Sequence, residues 1–268
     1  MTLLGQAQAI LAAAREEPQD ALSRATRLLA TADVAGEERA ILLFAVGLAH
    51  RTLANGAAST EHLEEAAAVS ADLPELRGQV LRSLAFNYAQ AGDHALADAT
   101  VAESIRLLGG QERDLSRLQQ AFMLLMRGEH RDALPVLSKA VDGFTAQGED
   151  DYLELTLYNR ALVHMEFGDY DSSIVDLERA YEIGIRLGHH VSAADAALHL
   201  SQVLGWRDDV PGAMSWHARS VDLRTQADAT NPVADTEHAF VLIQARLMQE
   251  AEATLTEALP RLVAAGGN

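Results

Sequence analysis

The chain of 268 residues contains no cysteine, a single lysine and few aromatic residues, which make up 5% of it. Without cysteine there are no disulfides, thiol nucleophiles, thiolate zinc sites or iron–sulfur clusters. The longest apolar run, residues 41–49, is far shorter than the roughly 20 residues of a membrane-spanning helix. Residues 1–17 also lack the basic start of a signal peptide. We therefore expect a cytoplasmic protein with no membrane partner.

The charge of the chain is strongly one-sided. It has 39 acidic and 21 basic residues, a formal net charge of −18 at pH 7. Because such a surface repels a phosphate backbone, nucleic acid is not an expected partner. Acidic outer helix faces keep an elongated protein dissolved and favour basic partners. Hydrophobic residues make up 49% of the chain and are mostly Ala and Leu, which predicts an interior of small, helix-favouring side chains.

Three segments share one pattern, in which a glycine is followed by an acidic residue. A small residue lies seven positions before each glycine and another lies twelve positions after it, where two helices would approach closely. The glycines are 36 and 40 residues apart, a period typical of stacked helical hairpins. The glycines are Gly92, Gly128 and Gly168, and the small residues are Ala85, Ala121, Ala161, Ser104, Ala140 and Ala180.

Turn signals divide the chain into seven hairpins. The fold class we expect is an all-α, right-handed superhelical solenoid of about seven antiparallel helical hairpins, forming one domain over residues 1–268. Because the chain stops at Gly266-Gly267-Asn268, directly after an apolar helix, we expect it to be part of a longer protein. The predicted helix pairs are 3–16 and 18–32, 37–53 and 60–73, 74–91 and 95–108, 111–127 and 131–147, 151–167 and 171–187, 191–206 and 211–227, and 232–246 and 250–263.

The motifs of the common enzyme classes are missing. The chain has no Walker loop, dinucleotide fingerprint, His-Glu-x-x-His helix or Gly-x-Ser-x-Gly elbow. His190 and His199 are nine residues apart, which places them on opposite faces of one helix rather than around a metal. The acidic runs 149–151 and 208–209 are typical of solvated turns. We therefore expect no catalytic residue, no metal and no cofactor.

Stacked hairpins present the first helix of each pair on one concave side. Positions counted back from each turn predict which side chains lie there, and they are rings and methionines beside amides and a few charges. This mixture suits the binding of a peptide or a partner helix. The alternative is that the rings only fill gaps between hairpins. The predicted groove residues are Arg82, Phe86, Gln90, Phe122, Met126, Tyr158, Leu162, Met165, Gln202, Trp206 and Phe240.

The fifth hairpin resembles a tetratricopeptide repeat (TPR). Its sequence from Asn159 to Asp171 is Asn-Arg-Ala-Leu-Val-His-Met-Glu-Phe-Gly-Asp-Tyr-Asp, followed by Leu-Glu-Arg-Ala at positions 177–180. Ala161, Gly168, Tyr170 and Ala180 match the small and aromatic positions of that family, whereas Ser173 replaces its usual alanine. Weaker copies extend the resemblance over most of the chain. The resemblance implies a non-catalytic scaffold for protein or peptide segments.

A more particular resemblance covers residues 197–262. The resemblance is to the repeat region of actinobacterial CHAT proteins, which precedes a caspase-like domain with a His–Cys dyad. It lies in Gly-Trp-Arg-Asp-Asp-Val-Pro-Gly-Ala at 205–213, in residues 235–240, and in Glu250-Ala251 and Ala258-Leu259. Without cysteine, this chain cannot contain that dyad. The resemblance implies that the repeats regulate or target a C-terminal effector, which is then a second candidate partner. Two alternatives stay open: a ligand- or peptide-sensing domain of a transcriptional or signalling regulator, and an enzyme with an unrecognised site.

Overall fold

The computed structural model describes residues 2–30, 34–227, 236, 239–243 and 247–266. Every regular element in these ranges is an α-helix, as the sequence predicted. The helices with both ends described are Leu3–Ala13 (α1), Pro18–Ala30 (α2), Gly36–Thr52 (α3), Gly56–Val69 (α4), Pro74–Gln90 (α5), His94–Leu107 (α6), Gly110–Met126 (α7), His130–Gln147 (α8), Asp150–Glu166 (α9), Tyr170–Leu187 (α10), His190–Trp206 (α11), Val210–Gln226 (α12) and Met248–Gly266 (α13).

Helices α1 to α12 occupy the predicted segments, with ends that differ by a few residues. In the seventh predicted hairpin, only residues 236 and 239–243 of the first helix are described, and they are helical. The rest of 232–246, and residues 267–268, lie outside the described residues. The second helix of that hairpin is α13.

The chain divides into two compact units, Met1–Lys139 and Ala140–Asn268, with the boundary inside α8. In the first unit the helices from α1 to α7 each pack on the next, and α1, α3, α5 and α7 also contact one another in succession. In the second unit α9, α10, α11 and α12 pack in chain order. Each unit thus has the nearest-neighbour packing of a stacked-hairpin solenoid.

The turn signals have a simple backbone explanation. Gly92, Gly128 and Gly168 have φ angles of 85°, 73° and 71°, in the left-handed region that a residue without Cβ adopts without strain. The next residue then caps the following helix: Asp169 Oδ1 accepts a hydrogen bond from the Ser172 backbone N–H at 3.3 Å. The Gly-Asp pair therefore ends one helix and begins the next.

The predicted small residues lie where helices touch. All six are buried, with exposed fractions of 1% or less. In three hairpins, a hydrogen bond also joins the two helices, because a buried serine of the second helix donates to a backbone carbonyl of the first. The pairs are Ser59 to Gly47 O, Ser104 to Gly78 O and Ser220 to Ala194 O, each at 2.7 Å. The small side chains therefore allow the helices to approach closely, and these hydrogen bonds stabilise the contact.

The sixth hairpin tests the role of the turn residue. Asp208 has a φ of 61°, where a Cβ is strained. We expect Asp208→Gly to raise the free energy of unfolding by about 0.5–1 kcal/mol, measured by urea denaturation. Gly168→Ala should lower it by about 1 kcal/mol, since a Cβ there meets no atom within 4 Å and only the backbone is strained. Equal stabilities for Asp208→Gly and the parent chain would contradict this explanation.

Candidate functional site

A cleft of about 560 Å³ opens between α5 and α7 in the first unit. It contains four of the predicted groove residues, Phe86, Gln90, Phe122 and Met126. Each helix supplies two of them at a spacing of four, so each pair lies on one helix face. The remaining lining residues are Ala89, His94, Met123, Arg127 and Glu129.

The cleft exposes large apolar side chains. Phe122 is 44% exposed and Met126 69% exposed, whereas Phe86 is half-buried with the Arg51 guanidinium 5.6 Å from its ring centroid. Apolar groups of this size cost free energy in water unless something covers them. A contiguous exposed apolar patch with polar groups at its edge marks a binding surface more often than a single exposed side chain does.

A fixed charge cluster forms one edge of this cleft. The Arg127 guanidinium donates to both oxygens of Asp98 at 3.1 Å and to both oxygens of Glu129 at 2.9 Å. The hydrogen bond to Arg127 lowers the pKa of Glu129, which therefore stays ionised at neutral pH. Arg127 is only 11% exposed, whereas Asp98 and Glu129 are 44% and 42% exposed, so this edge presents carboxylates to water.

Arg82, also predicted for the groove, joins helices instead of lining the cleft. Its Nη1 donates to Glu112 Oε2 at 2.6 Å, and its carbonyl accepts a hydrogen bond from the Gln119 side chain. The Arg82 guanidinium thus ties α5 to α7. Sequence position alone did not distinguish an inward-facing arginine from one paired across a helix interface.

The second unit contains a cavity of about 280 Å³ between α9, α10 and α11. Of the predicted groove residues, Tyr158 lines it. The other lining residues, which sequence reasoning missed, are Asp151, Glu154, Leu155, Ala180, His189, Ser192 and Asp195.

Glu154 is the buried acid of this cavity, with 5% of its surface exposed. Its Oε2 lies 2.7 Å from His189 Nδ1, and the Nε2 of that imidazole lies 3.6 Å from Asp151 Oδ1. The hydrogen bond with Glu154 raises the pKa of His189. The second oxygen of Glu154, Oε1, has no hydrogen-bond partner among the described residues.

Tyr158 forms the aromatic wall of the same cavity. Its hydroxyl is 3.4 Å from His199 Nδ1, and the two rings meet edge to face with centroids 5.4 Å apart. Burial, followed by the negative charge of Asp195, raises the pKa of Tyr158 to about 12. The hydroxyl therefore keeps its proton at physiological pH and remains a hydrogen-bond donor.

The remaining predicted groove residues of the second unit do not line this cavity. Trp206 packs on Tyr170 with ring centroids 5.5 Å apart and is half-buried, so part of its surface serves packing. The other four differ in exposure. Leu162, Met165 and Gln202 are half-buried, and Phe240 is exposed.

The contact between His189 and Glu154 predicts a raised pKa of His189 that a titration can measure. The raised folded-state pKa means that protonated His189 stabilises the fold below pH about 6.5, and this contribution disappears as pH rises through the raised pKa. An NMR titration of the His189 ring should therefore give a pKa above 6.5, and Glu154→Gln should lower it. An identical His189 pKa in the parent and the variant would show that Glu154 does not set it.

Within the described ranges, no group of three or more His, Asp or Glu side chains is arranged to hold a metal ion. None of the helices described is both long and apolar enough to cross a membrane.

Comparison with known proteins shows the fold. No protein-family model matches the chain, and no curated protein matches it. Among solved structures, the apo form of RapI superimposes with a TM-score of 0.72 at 11% identity, over 92% of this chain and 72% of RapI. A Rap protein complexed with competence and sporulation factor gives 0.58 at 15% identity, over 96% and 74%.

A third similar structure consists of TPR-like repeats. The TPR-like repeats of a putative kinesin light chain from Podosopora anserina match with a TM-score of 0.59 at 17% identity, over 73% of this chain and 98% of that one. The chain is therefore an all-α solenoid of the TPR-like class, which confirms the predicted helical-repeat fold. At these identities the likeness concerns the fold alone.

Proposed function

We propose that this chain is a non-catalytic binding scaffold that holds a segment of another protein in the cleft between α5 and α7. The observation that carries the proposal is the exposure of Phe122 and Met126 beside Phe86, in a cleft that the repeat register predicts. An aromatic ring and a flexible thioether are side chains that contribute strongly to protein interfaces. The Gln90 amide beside them can both donate to and accept from a peptide backbone.

The shape and charge of the cleft favour a peptide segment with one large apolar side chain. The cleft is open, so it fits a chain that enters and leaves it, with one side chain inserted between Phe86 and Phe122. The Glu129 carboxylate at its edge and the net charge of −18 favour basic residues beside that anchor. A Rap protein with this fold forms a complex with competence and sporulation factor, which supports binding as a use of the fold.

Peptide display tests this function. A random 12-residue library is selected on the full chain and counter-selected on a Phe122→Ala/Met126→Ala variant. We expect enriched peptides that share a large apolar residue flanked by Lys or Arg and that bind the parent chain with micromolar affinity. Peptides that bind both proteins equally, or no enrichment after several rounds, would refute the cleft as the binding surface.

We also propose, from the resemblance of residues 197–262 to CHAT repeats, that the scaffold regulates or targets a C-terminal caspase-like effector in the cytoplasm. The support for this finer assignment is that sequence similarity alone. The gene sequence beyond the codon for Asn268 tests it. A caspase-like domain with a His–Cys dyad is the expected result, whereas a DNA-binding or ATPase domain would favour the regulator alternative.

A further inference from the structure

An arginine of α3 lies against a ring that forms one wall of the cleft. The Arg51 guanidinium is 5.6 Å from the centroid of Phe86, and Phe86 lines the cleft between α5 and α7. Arg51 lies three residues before Ala54, whose backbone is in the left-handed region. Ala89 has the same place before Gly92, and it lines the cleft. The repeat register therefore places Arg51 on the side of α3 that corresponds to the cleft side of α5.

The Arg51 guanidinium makes no hydrogen bond or ion pair with any described residue, although it is half-buried. Every other half-buried arginine that the structure describes in the first unit donates to an oxygen, as Arg77, Arg82 and Arg127 do. The Arg51 nitrogens are accessible, since none of them is a buried atom without a partner. A guanidinium that stacks on a ring donates in its own plane, so these N–H groups can meet an incoming acceptor.

The charges that act on Arg51 give the sign of that acceptor. Burial, followed by the positive charges of Arg15 and Arg82, lowers the pKa of Arg51 to about 10, so the guanidinium stays charged at neutral pH. Arg82 is paired with Glu112, and Arg15 is exposed. Although the whole chain has a net charge of −18, the α3 side of the cleft is therefore locally positive. An anionic group is the ligand that suits it, because a guanidinium binds a carboxylate through two parallel hydrogen bonds.

We infer that Arg51 binds the carboxylate of a Glu or Asp side chain in the same peptide segment whose apolar side chain enters the cleft. The inference rests on the proposed function and adds the order of charges along the segment. The edge formed by Asp98 and Glu129 takes the basic residue, and Arg51 takes the acidic one. Because the cleft is open, the segment continues past Arg51 and supplies a side chain rather than its terminal carboxylate.

Helix spacing gives the distance between the anchor and the acidic residue. Helix α5 lies between α3 and α7, with which it is in contact. Packed helices are about 8–10 Å apart, and an extended chain advances roughly 3.3–3.6 Å per residue. The acidic residue therefore lies about three positions from the apolar anchor, on the side away from the basic residue.

Four peptides with acetylated and amidated ends test the inference on the ¹⁵N-labelled full chain. Two of them are acetyl-Lys-Gly-Gly-Phe-Gly-Gly-Glu-amide and acetyl-Glu-Gly-Gly-Phe-Gly-Gly-Lys-amide, which cover both chain directions. The other two carry Gln in place of Glu. We expect one Glu peptide to bind at least about fivefold more tightly than its Gln counterpart, and to shift the Nε–H signal of Arg51. Equal Kd values for Glu and Gln in both directions would overturn the inference.

Variants of the arginine separate its charge from its packing. Arg51→Gln should remove the preference for Glu while binding the Gln peptide within about twofold of the parent chain, which also shows that the cleft is intact. Arg51→Lys keeps the charge without the planar pair of donors and should reduce the preference to about twofold. Arg106→Gln, an exposed position of α6 outside the cleft lining, removes the same charge and should leave the preference unchanged. A preference for Glu that survives in Arg51→Gln would contradict the inference.

The failure of this inference can be distinguished from the failure of the proposed function. The Phe122→Ala/Met126→Ala variant should lose binding of all four peptides, because each of them uses the Phe anchor. Binding that this variant leaves unchanged, or no binding of any peptide to the parent chain, would refute the cleft and with it the role of Arg51. Binding that is lost in the variant, with equal Kd values for the Glu and Gln peptides on the parent chain, would refute the role of Arg51 alone.

Discussion

Replacing Phe122 and Met126 together by Ala lowers the affinity for a selected peptide by at least about a hundredfold, which corresponds to roughly 2.7 kcal/mol. The reason is that both side chains lie exposed in the cleft and would be fully covered by the peptide, as the central residues of an interface are. Because they are exposed in the free chain, the free energy of unfolding should change by less than about 0.5 kcal/mol. Isothermal titration calorimetry and urea denaturation measure the two quantities.

Leu96→Ala is the matched control for this variant. Leu96 is an apolar side chain of α6 with similar exposure to Phe122, but it does not line the cleft. The control should keep the affinity of the parent chain within about twofold. A loss of affinity as large in Leu96→Ala as in the double variant would show that general surface hydrophobicity, rather than the cleft, determines binding.

The second large effect concerns a close contact between two helices of the first unit, α3 and α4. A Cβ at Gly47 would lie 2.7 Å from two carbons of Leu63, and Leu63 is fully buried and cannot move aside freely. We expect Gly47→Val to lower the free energy of unfolding by about 3 kcal/mol, through overpacking between α3 and α4. The movement would also lengthen the hydrogen bond from Ser59 Oγ to Gly47 O, which is 2.7 Å in the parent chain.

Gly56→Ala is the control for Gly47→Val. Gly56 opens α4, and a Cβ there meets no atom within 4 Å. The alanine should therefore leave stability unchanged or raise it by about 0.5 kcal/mol. Denaturation curves of Gly47→Val and Gly56→Ala that coincide would refute the close approach of α3 and α4.

The repeat fold could be predicted because its signals are local. A turn needs a residue in the left-handed region and the next helix needs an N-cap, so Gly168 and Asp169 mark a hairpin within two positions. The spacing of such pairs then gives the period. Asp208 shows the limit of the pattern, since it adopts the same conformation without being glycine.

The cleft was predictable from register, whereas the cavity was not. Phe86 and Phe122 occupy equivalent positions in successive hairpins, so counting from the turns brings them together. Glu154 meets His189 across 35 residues, and its burial depends on Gly184, where a Cβ would lie 2.7 Å from Oε1. Such a long-range polar contact has no periodic signature in the sequence, because a glutamate on a helix is usually solvated.

The contacts of the arginines could not be predicted for the same reason, because they too join residues that are far apart in the sequence. The sequence showed 20 of them against one lysine, without indicating what they contact. In the structure many join neighbouring helices, as Arg160 does through two hydrogen bonds of 2.7 Å to Asp176. The planar guanidinium suits such paired contacts with a carboxylate, which the ammonium group of lysine cannot reproduce.

A crystal structure of the full chain with a peptide selected by display tests most directly whether the cleft is the binding surface. We expect a large apolar side chain of the peptide to lie between Phe86 and Phe122, in contact with Met126, and the Gln90 amide to form a hydrogen bond with the peptide backbone. A peptide bound on another surface, with the cleft between α5 and α7 uncovered, would show that the cleft is not the binding surface.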